Sequence, residues 1–164
     1  MSLTDHKALI YLKADVAASN PAYLMCYDFD TSAWSELAKP CTPHAGTEDA
    51  TLIYDHINEI VYLYMTSTAD LYYHLYKSTN FASRWTEVPC SPFTHFVPQA
   101  AEAQMGISEA DGRLYLWGWV GTTTTLGYYD PSTDTITVTD NTNATPTAAA
   151  QEYTIITSPT AANK

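Results

Sequence analysis

Apolar and polar residues alternate over short runs along most of the chain, and no apolar set recurs at helical spacing over three turns. The runs are rich in Val, Ile, Leu, Tyr, Trp and Thr, and Asp, Asn, Gly, Pro and Ser separate them. Strands are predicted at Ala8 to Asp15, Thr51 to Asp55, Glu59 to Thr66, Leu71 to Lys77 and Arg84 to Val88. Further strands are predicted at Gln104 to Ser108, Arg113 to Trp119, Leu126 to Tyr129, Thr135 to Thr139 and Gln151 to Ser158. Asp111-Gly112 is a hairpin signal, because both residues accept positive φ. One turn of helix is allowed only near Pro98 to Glu102. The pattern therefore predicts an all-β chain.

The strands repeat. An apolar-Tyr-Leu run is centred on Tyr11, Tyr62 and Tyr115, and a strand ends in Tyr plus a polar residue at Tyr27-Asp28, Tyr76-Lys77 and Tyr129-Asp130. A following strand opens at Trp34, Trp85 and Ile136, and Pro40-Cys41-Thr42-Pro43 returns as Pro89-Cys90-Ser91-Pro92. A period of about 50 residues with four strands per unit is the sequence signature of propeller blades. Tyr27-Asp28-Phe29-Asp30-Thr31-Ser32-Ala33-Trp34 resembles the kelch-type blade pattern. Ser78-Thr79-Asn80-Phe81-Ala82-Ser83-Arg84-Trp85 resembles the Asp-box of sialidase-like propellers, with Asn for Asp, Ala for Gly and Arg for Thr. The paired glycines common in kelch blades are absent.

The resemblance implies a single domain, 1–164, of three four-stranded antiparallel propeller-like blades at 8–43, 50–92 and 103–140. Residues 140–150 read as a linker. The first repeat begins at its second strand, so the strand at 151–158 reads as its missing first strand, permuted to the C-terminus. Three blades fall below the usual propeller count, and the expectation is completion by oligomerisation or a partner. Tyr153, Ile155, Ile10 and Leu12 are the expected assembly residues, while Trp34 and Trp85 are expected in the core.

Charge narrows the partners. Asp+Glu number 18 against Lys+Arg 7, which excludes a basic nucleic-acid groove and an anionic membrane surface. No apolar stretch approaches the roughly 20 residues of a membrane helix, and no signal-peptide pattern opens the chain. The expectation is synthesis in the cytoplasm, with a virion as the proposed setting. Cys26, Cys41 and Cys90 are then reduced thiols.

Several residue sets carry candidate chemistry. Cys41 and His44 with Cys90 and His95 have soft donors suited to zinc, but repeat-equivalent positions need not converge, so no metal or cofactor is expected. Asp28-x-Asp30-x-Ser32 opens like a calcium loop, yet Ala33 and Lys39 stand where such a loop requires Gly and Glu. A turn whose aspartates bond local amides is the better reading. Glu87, Asp111 and Asp134 are carboxylates available for acid–base work, at strand ends where charge is ordinary. Sialidase chemistry would imply several clamping arginines, and only Arg84 and Arg113 exist. Tyr72, Tyr73, Trp117, Trp119 and Tyr128 are candidate ligand-binding aromatics. The functional expectation is a non-catalytic binding or assembly module, in the setting of a virion- or tail-associated phage structural protein, whose partners are itself or other structural proteins. The alternatives are a glycan-binding propeller lectin and, third, a glycoside hydrolase.

Overall fold

The computed structural model describes residues 6–12, 22–42, 50–66, 72–89, 97–98, 102–108, 110–120 and 123–140. Twelve strands occur among them, and no helix. Sheet 1 is a meander of β1 (Lys7–Leu12), β2 (Tyr23–Asp28) and β3 (Ala33–Leu37). Sheet 2 runs β4 (Ala50–Asp55), β5 (Ile60–Thr66), β6 (Tyr72–Ser78) and β7 (Thr86–Glu87), with the two-residue β8 (Val97–Pro98) also on β6. Sheet 3 is β9 (Glu102–Ile107), β10 (Leu114–Val120), β11 (Thr123–Asp130) and β12 (Thr135–Asp140). All pairings are antiparallel. Among the described residues, no sheet closes on itself. The expected strand at 151–158, with Tyr153 and Ile155, lies outside the described residues, as does the linker apart from Asp140, which ends a strand.

The middle sheet is covered on both faces. Val61 through Met65 on β5 are each no more than 1% exposed. Tyr62, Tyr64 and Leu75 meet Met105, Leu114, Leu116, Tyr129 and Ile136 of sheet 3. The alternate residues Leu63, Met65 and Tyr76 pack with Tyr11, Cys41 and Trp85 on the side of sheet 1. A strand buried on both faces needs an unbroken apolar run, and Ile60-Val61-Tyr62-Leu63-Tyr64-Met65 supplies it.

Strand pairing gives each sheet a direction. Tyr27, Tyr76 and Tyr129 occupy the end of the same strand in successive sheets. Tyr129 faces sheet 2 and Tyr76 faces sheet 1, so this tyrosine marks the backward face. Tyr62 and Tyr64 of sheet 2, and Tyr11 of sheet 1, point forward toward the next sheet.

Three hairpins share one turn. Asp28, Asp55 and Asp130 each end a strand, and after a turn of four residues the chain re-enters the sheet. Asp28 Oδ1 accepts from the amides of Asp30 (2.9 Å) and Thr31 (3.0 Å). Asp55 Oδ1 accepts from Ile57 (3.0 Å) and Asn58 (3.1 Å), and Asp130 Oδ1 from Ser132 (2.9 Å). The Asp28-x-Asp30-x-Ser32 segment is thus an amide-capping turn. Ser32, Glu59 and Asp134 close the three turns with φ of 54°, 55° and 54°. Asp111-Gly112 also turns as expected, with Gly112 at φ 69° and Ser108 N donating to Arg113 O at 2.9 Å.

The two repeat tryptophans are not equivalent. Tyr27 pairs with Trp34 and Tyr129 with Ile136, whereas Tyr76 pairs with Glu87, two residues beyond Trp85. The extra length is the loop after β6. There Asn80 Oδ1 accepts from Ser78 Oγ (2.8 Å) and Arg84 N (3.0 Å), and Ser78 Oγ accepts from Ala82 N (3.0 Å). Ala82 has φ 64° at the position where the Asp-box pattern places Gly. Trp85 is half-buried against the sheet 1–sheet 2 cluster and donates Nε1–H to Ala38 O at 3.1 Å, which agrees with a core role. Trp34 does not meet that expectation. It is 53% exposed on the backward face of sheet 1, which no other sheet among the described residues covers.

A polar bridge ties sheets 2 and 3. Lys77 Nζ donates to Tyr129 OH (3.1 Å) and to Asp134 Oδ1 (2.6 Å), and Tyr129 OH donates to the same carboxylate (2.8 Å). The edge-on ring of Tyr62 lies 5.8 Å from that of Tyr129, but its buried hydroxyl has no hydrogen-bond partner among the described residues. Removing a satisfied hydroxyl leaves its partners exposed to loss, whereas removing an unsatisfied one does not. Tyr129→Phe should cost roughly 1–2 kcal/mol in urea unfolding, and Tyr62→Phe should be neutral or gain up to about 1 kcal/mol. Equal losses in the two variants would contradict this assignment.

Candidate interaction faces

Among the described residues, no other sheet covers the backward face of sheet 1. Cross-strand pairing puts Ala8, Ile10 and Leu12 of β1 opposite Tyr27, Met25 and Tyr23 of β2, with Trp34 and Glu36 of β3 alongside. Ile10, Leu12 and Phe29 are 40%, 47% and 48% exposed. The Tyr27 ring lies 4.9 Å from both Phe29 and Trp34, so the aromatics form one group instead of scattered residues. Ile136, which holds the Trp34 position in sheet 3, is 3% exposed because sheet 2 covers it. The opposite face of sheet 1, with Leu24 (0%) and Cys26 (6%), is buried. Burial pushes the Cys26 thiol up, which leaves it a poor nucleophile.

Among the described residues, no other sheet covers the forward face of sheet 3. Tyr115 pairs with Tyr128, and their rings lie 6.1 Å apart. The Arg113 guanidinium lies 4.5 Å over the Tyr128 ring and donates Nε–H to Asp130 Oδ2 at 3.3 Å. Tyr115 OH donates to Asp111 Oδ2 at 3.1 Å, which raises the Tyr115 phenol. Ser132 and then Arg113 hold the Asp130 carboxyl below its usual range. Burial works against Asp111, but bonds from the Arg113 amide, Ser108 and Tyr115 outweigh it and lower that carboxyl too. Asn58, Asp111, Gly112, Arg113, Asp130, Pro131 and Ser132 line an open cavity of about 440 Å³ at this corner.

The sequence candidates fare unevenly. Tyr128 stands on the forward face, half-buried under Arg113, and Ile10 and Leu12 stand on the backward face. Trp117 and Trp119 pair through their backbones with Leu126 and Thr124, and Tyr72 and Tyr73 with Pro98 and Val97; these four side chains lie outside the described residues. Cys41 packs at the sheet 1–sheet 2 cluster, while His44, Cys90 and His95 lie outside the described residues. Cys26 and Cys41 are not in disulfides.

The three carboxylates serve different partners. Glu87 Oε1 lies 2.6 Å from His74 Nδ1, Asp134 holds Lys77 and Tyr129, and Asp111 holds Tyr115. Sequence reasoning placed Trp34 in the core and passed over Tyr27, Phe29 and Arg113 as contact residues. The available signal was the uneven spacing of the repeat markers, which already shows that the third and fourth strands of the middle repeat are joined differently. No protein-family model matches the chain, and no curated protein matches it.

Proposed function

We propose that this chain is a non-catalytic assembly module, a propeller-like stack of three sheets whose two end faces are docking surfaces. The contrast between Trp34, 53% exposed, and Ile136, 3% exposed at the same register, carries the reading. An apolar aromatic group of this size left open to water favours association. A virion or tail setting, in which neighbouring structural proteins cover such faces, is proposed from the acidic, Thr- and Tyr-rich composition.

The test pairs solution mass with binding of a hydrophobic fluorescent dye. Either the mass exceeds the 18.1 kDa of one chain, or the single chain binds the dye. Trp34→Glu should lower whichever signal is present severalfold and leave the far-ultraviolet circular dichroism unchanged. A single-chain mass without dye binding would refute the reading.

A glycan-binding reading has one observation in its favour. The cavity at Arg113 combines hydroxyl-pairing groups, Asn58, Asp111 and Asp130, with the neighbouring Tyr128 ring. A glycan array on the intact protein and on Arg113→Ala tests it; absence of any sugar signal removes it.

A further inference from the structure

We infer that the backward face of sheet 1 is covered by the forward face of sheet 3 from a second copy of this chain, so that two copies join head to tail. The inference rests on the assembly reading above and adds the identity of the partner.

The chain already makes this contact inside itself. Sheet 3 sets its Tyr129 face on the Tyr62 and Tyr64 face of sheet 2, and sheet 2 sets its Tyr76 face on the side of sheet 1 that carries Tyr11. Both junctions run in one direction, backward face on forward face. The two faces that no other described sheet covers are the remaining half of each kind. Tyr27 repeats the position of Tyr76 and Tyr129, and Tyr115 and Tyr128 stand on the face opposite to Tyr129.

Charge agrees with this pairing. At the sheet 2–sheet 3 junction, Lys77 follows Tyr76 and reaches forward to Tyr129 OH and to Asp134 in the turn beside it. In sheet 3 the residue after Tyr129 is Asp130, and Arg113, bonded to it, supplies the cation at the same corner. On sheet 1, Tyr27 is followed by a turn carrying Asp30, whose side chain is 69% exposed and held by His6 Nδ1 at 3.0 Å. A forward cation thus again finds a backward tyrosine next to an acidic turn.

A head-to-tail contact is heterologous, since it joins two different faces. Two copies closing on each other would form two such contacts and stack six sheets, a number within the range of known rings.

This geometry has a test that a symmetric contact fails. One variant blocks the backward face, Ile10→Glu with Trp34→Glu. The other blocks the forward face, Tyr115→Glu with Tyr128→Glu. The shared sign prevents a new attraction between the altered faces. Light scattering on the full chain at about 10–100 μM is the readout. The wild type should have twice the 18.1 kDa chain mass, and each variant alone should have the single-chain mass. An equimolar mixture of the two should return to the double mass, because one junction pairs two unaltered faces. That mixed dimer should be at least tenfold weaker than the wild type, having lost one of two contacts. If a double variant fails to fold, Trp34→Ser and Arg113→Glu replace the two blocks.

A mixture that stays at single-chain mass, or a dimer that only the backward-face variant breaks, overturns the inference. A wild type at single-chain mass overturns it as well. In that case dye binding that both variants reduce leaves the assembly reading standing with a different partner, and no dye binding removes both.

Discussion

Leu63→Ala and Leu114→Ala should each destabilise the protein by roughly 2–5 kcal/mol in urea unfolding. Both leucines are 0% exposed, but they belong to different clusters. Leu63 fills the junction of sheets 1 and 2, and Leu114 fills the junction of sheets 2 and 3. Each truncation loses the transfer free energy of the removed atoms and leaves a cavity that sheet backbones cannot close. Because the two clusters lie on opposite faces of the middle sheet, the losses should add to within about 0.5 kcal/mol. Domains of this size have only about 5–15 kcal/mol of stability, so the double variant should have little folded baseline in water.

Leu12→Ala is the control. Leu12 is 47% exposed on the uncovered face and should cost under about 1 kcal/mol in the isolated chain. A Leu63→Ala variant as stable as the Leu12→Ala variant would mean that sheet 1 does not cover sheet 2.

Strand existence was legible from the sequence, because period-two alternation and turn residues are local signals. The runs at Thr51 to Asp55, Glu59 to Thr66 and Thr135 to Thr139 fall within a residue of β4, β5 and β12. The continuous apolar run of β5 carries a further signal, burial on both faces, that the strand prediction did not use.

Register was not legible. Tyr11, Tyr62 and Tyr115 recur in sequence and all point forward, yet they pair with Leu24, Lys77 and Tyr128, at different distances from the marker tyrosine of the next strand. A shift of two residues keeps a side chain on its face, so the apolar pattern survives while the pairing moves. The same freedom separated Trp34 from Trp85: eight residues lie between the paired Lys77 and Thr86, against four between Asp28 and Ala33. The exposure of Trp34 depends on what covers sheet 1, and its own segment carries no information about that.

The candidate faces were partly legible for the same reason. Tyr128, Ile10 and Leu12 stand out as aromatic or apolar residues in predicted strands. Arg113 becomes notable only when folding puts it over Tyr128 and against Asp130. Polar groupings made across a hairpin have no spacing rule comparable to alternation.

Alkaline pH should unfold the chain through two tyrosines. Burial first, and then the nearby Tyr129, Asp55 and Asp134, drive the Tyr62 phenol far above its ordinary value. Burial, followed by the bond to Asp134, does the same to Tyr129. Both rings are at most 1% exposed. A folded-state value raised above the unfolded one gives stability that is fully present below about pH 10. That stability is lost as the pH rises from there toward the folded values. Each such tyrosine costs about 1.4 kcal/mol per pH unit above 10, and the pair about twice that, because only the unfolded chain can ionise them.

The acid limb has the opposite sign and is shallower. The lowered carboxyls of Asp28, Asp111, Asp130 and Asp134 contribute above the ordinary carboxylate range and lose that contribution as pH falls through their folded values. All four face solvent to a degree that screens the gain. A titration followed by phenolate absorbance should therefore show two classes among the 13 tyrosines. The exposed class ionises gradually near the ordinary value. The buried class ionises in one cooperative step, at the pH where circular dichroism is lost. In the double variant Tyr62→Phe with Tyr129→Phe, that step should broaden and move to higher pH. Complete phenolate formation with the sheet signal intact would show that neither ring is sealed between sheets 2 and 3.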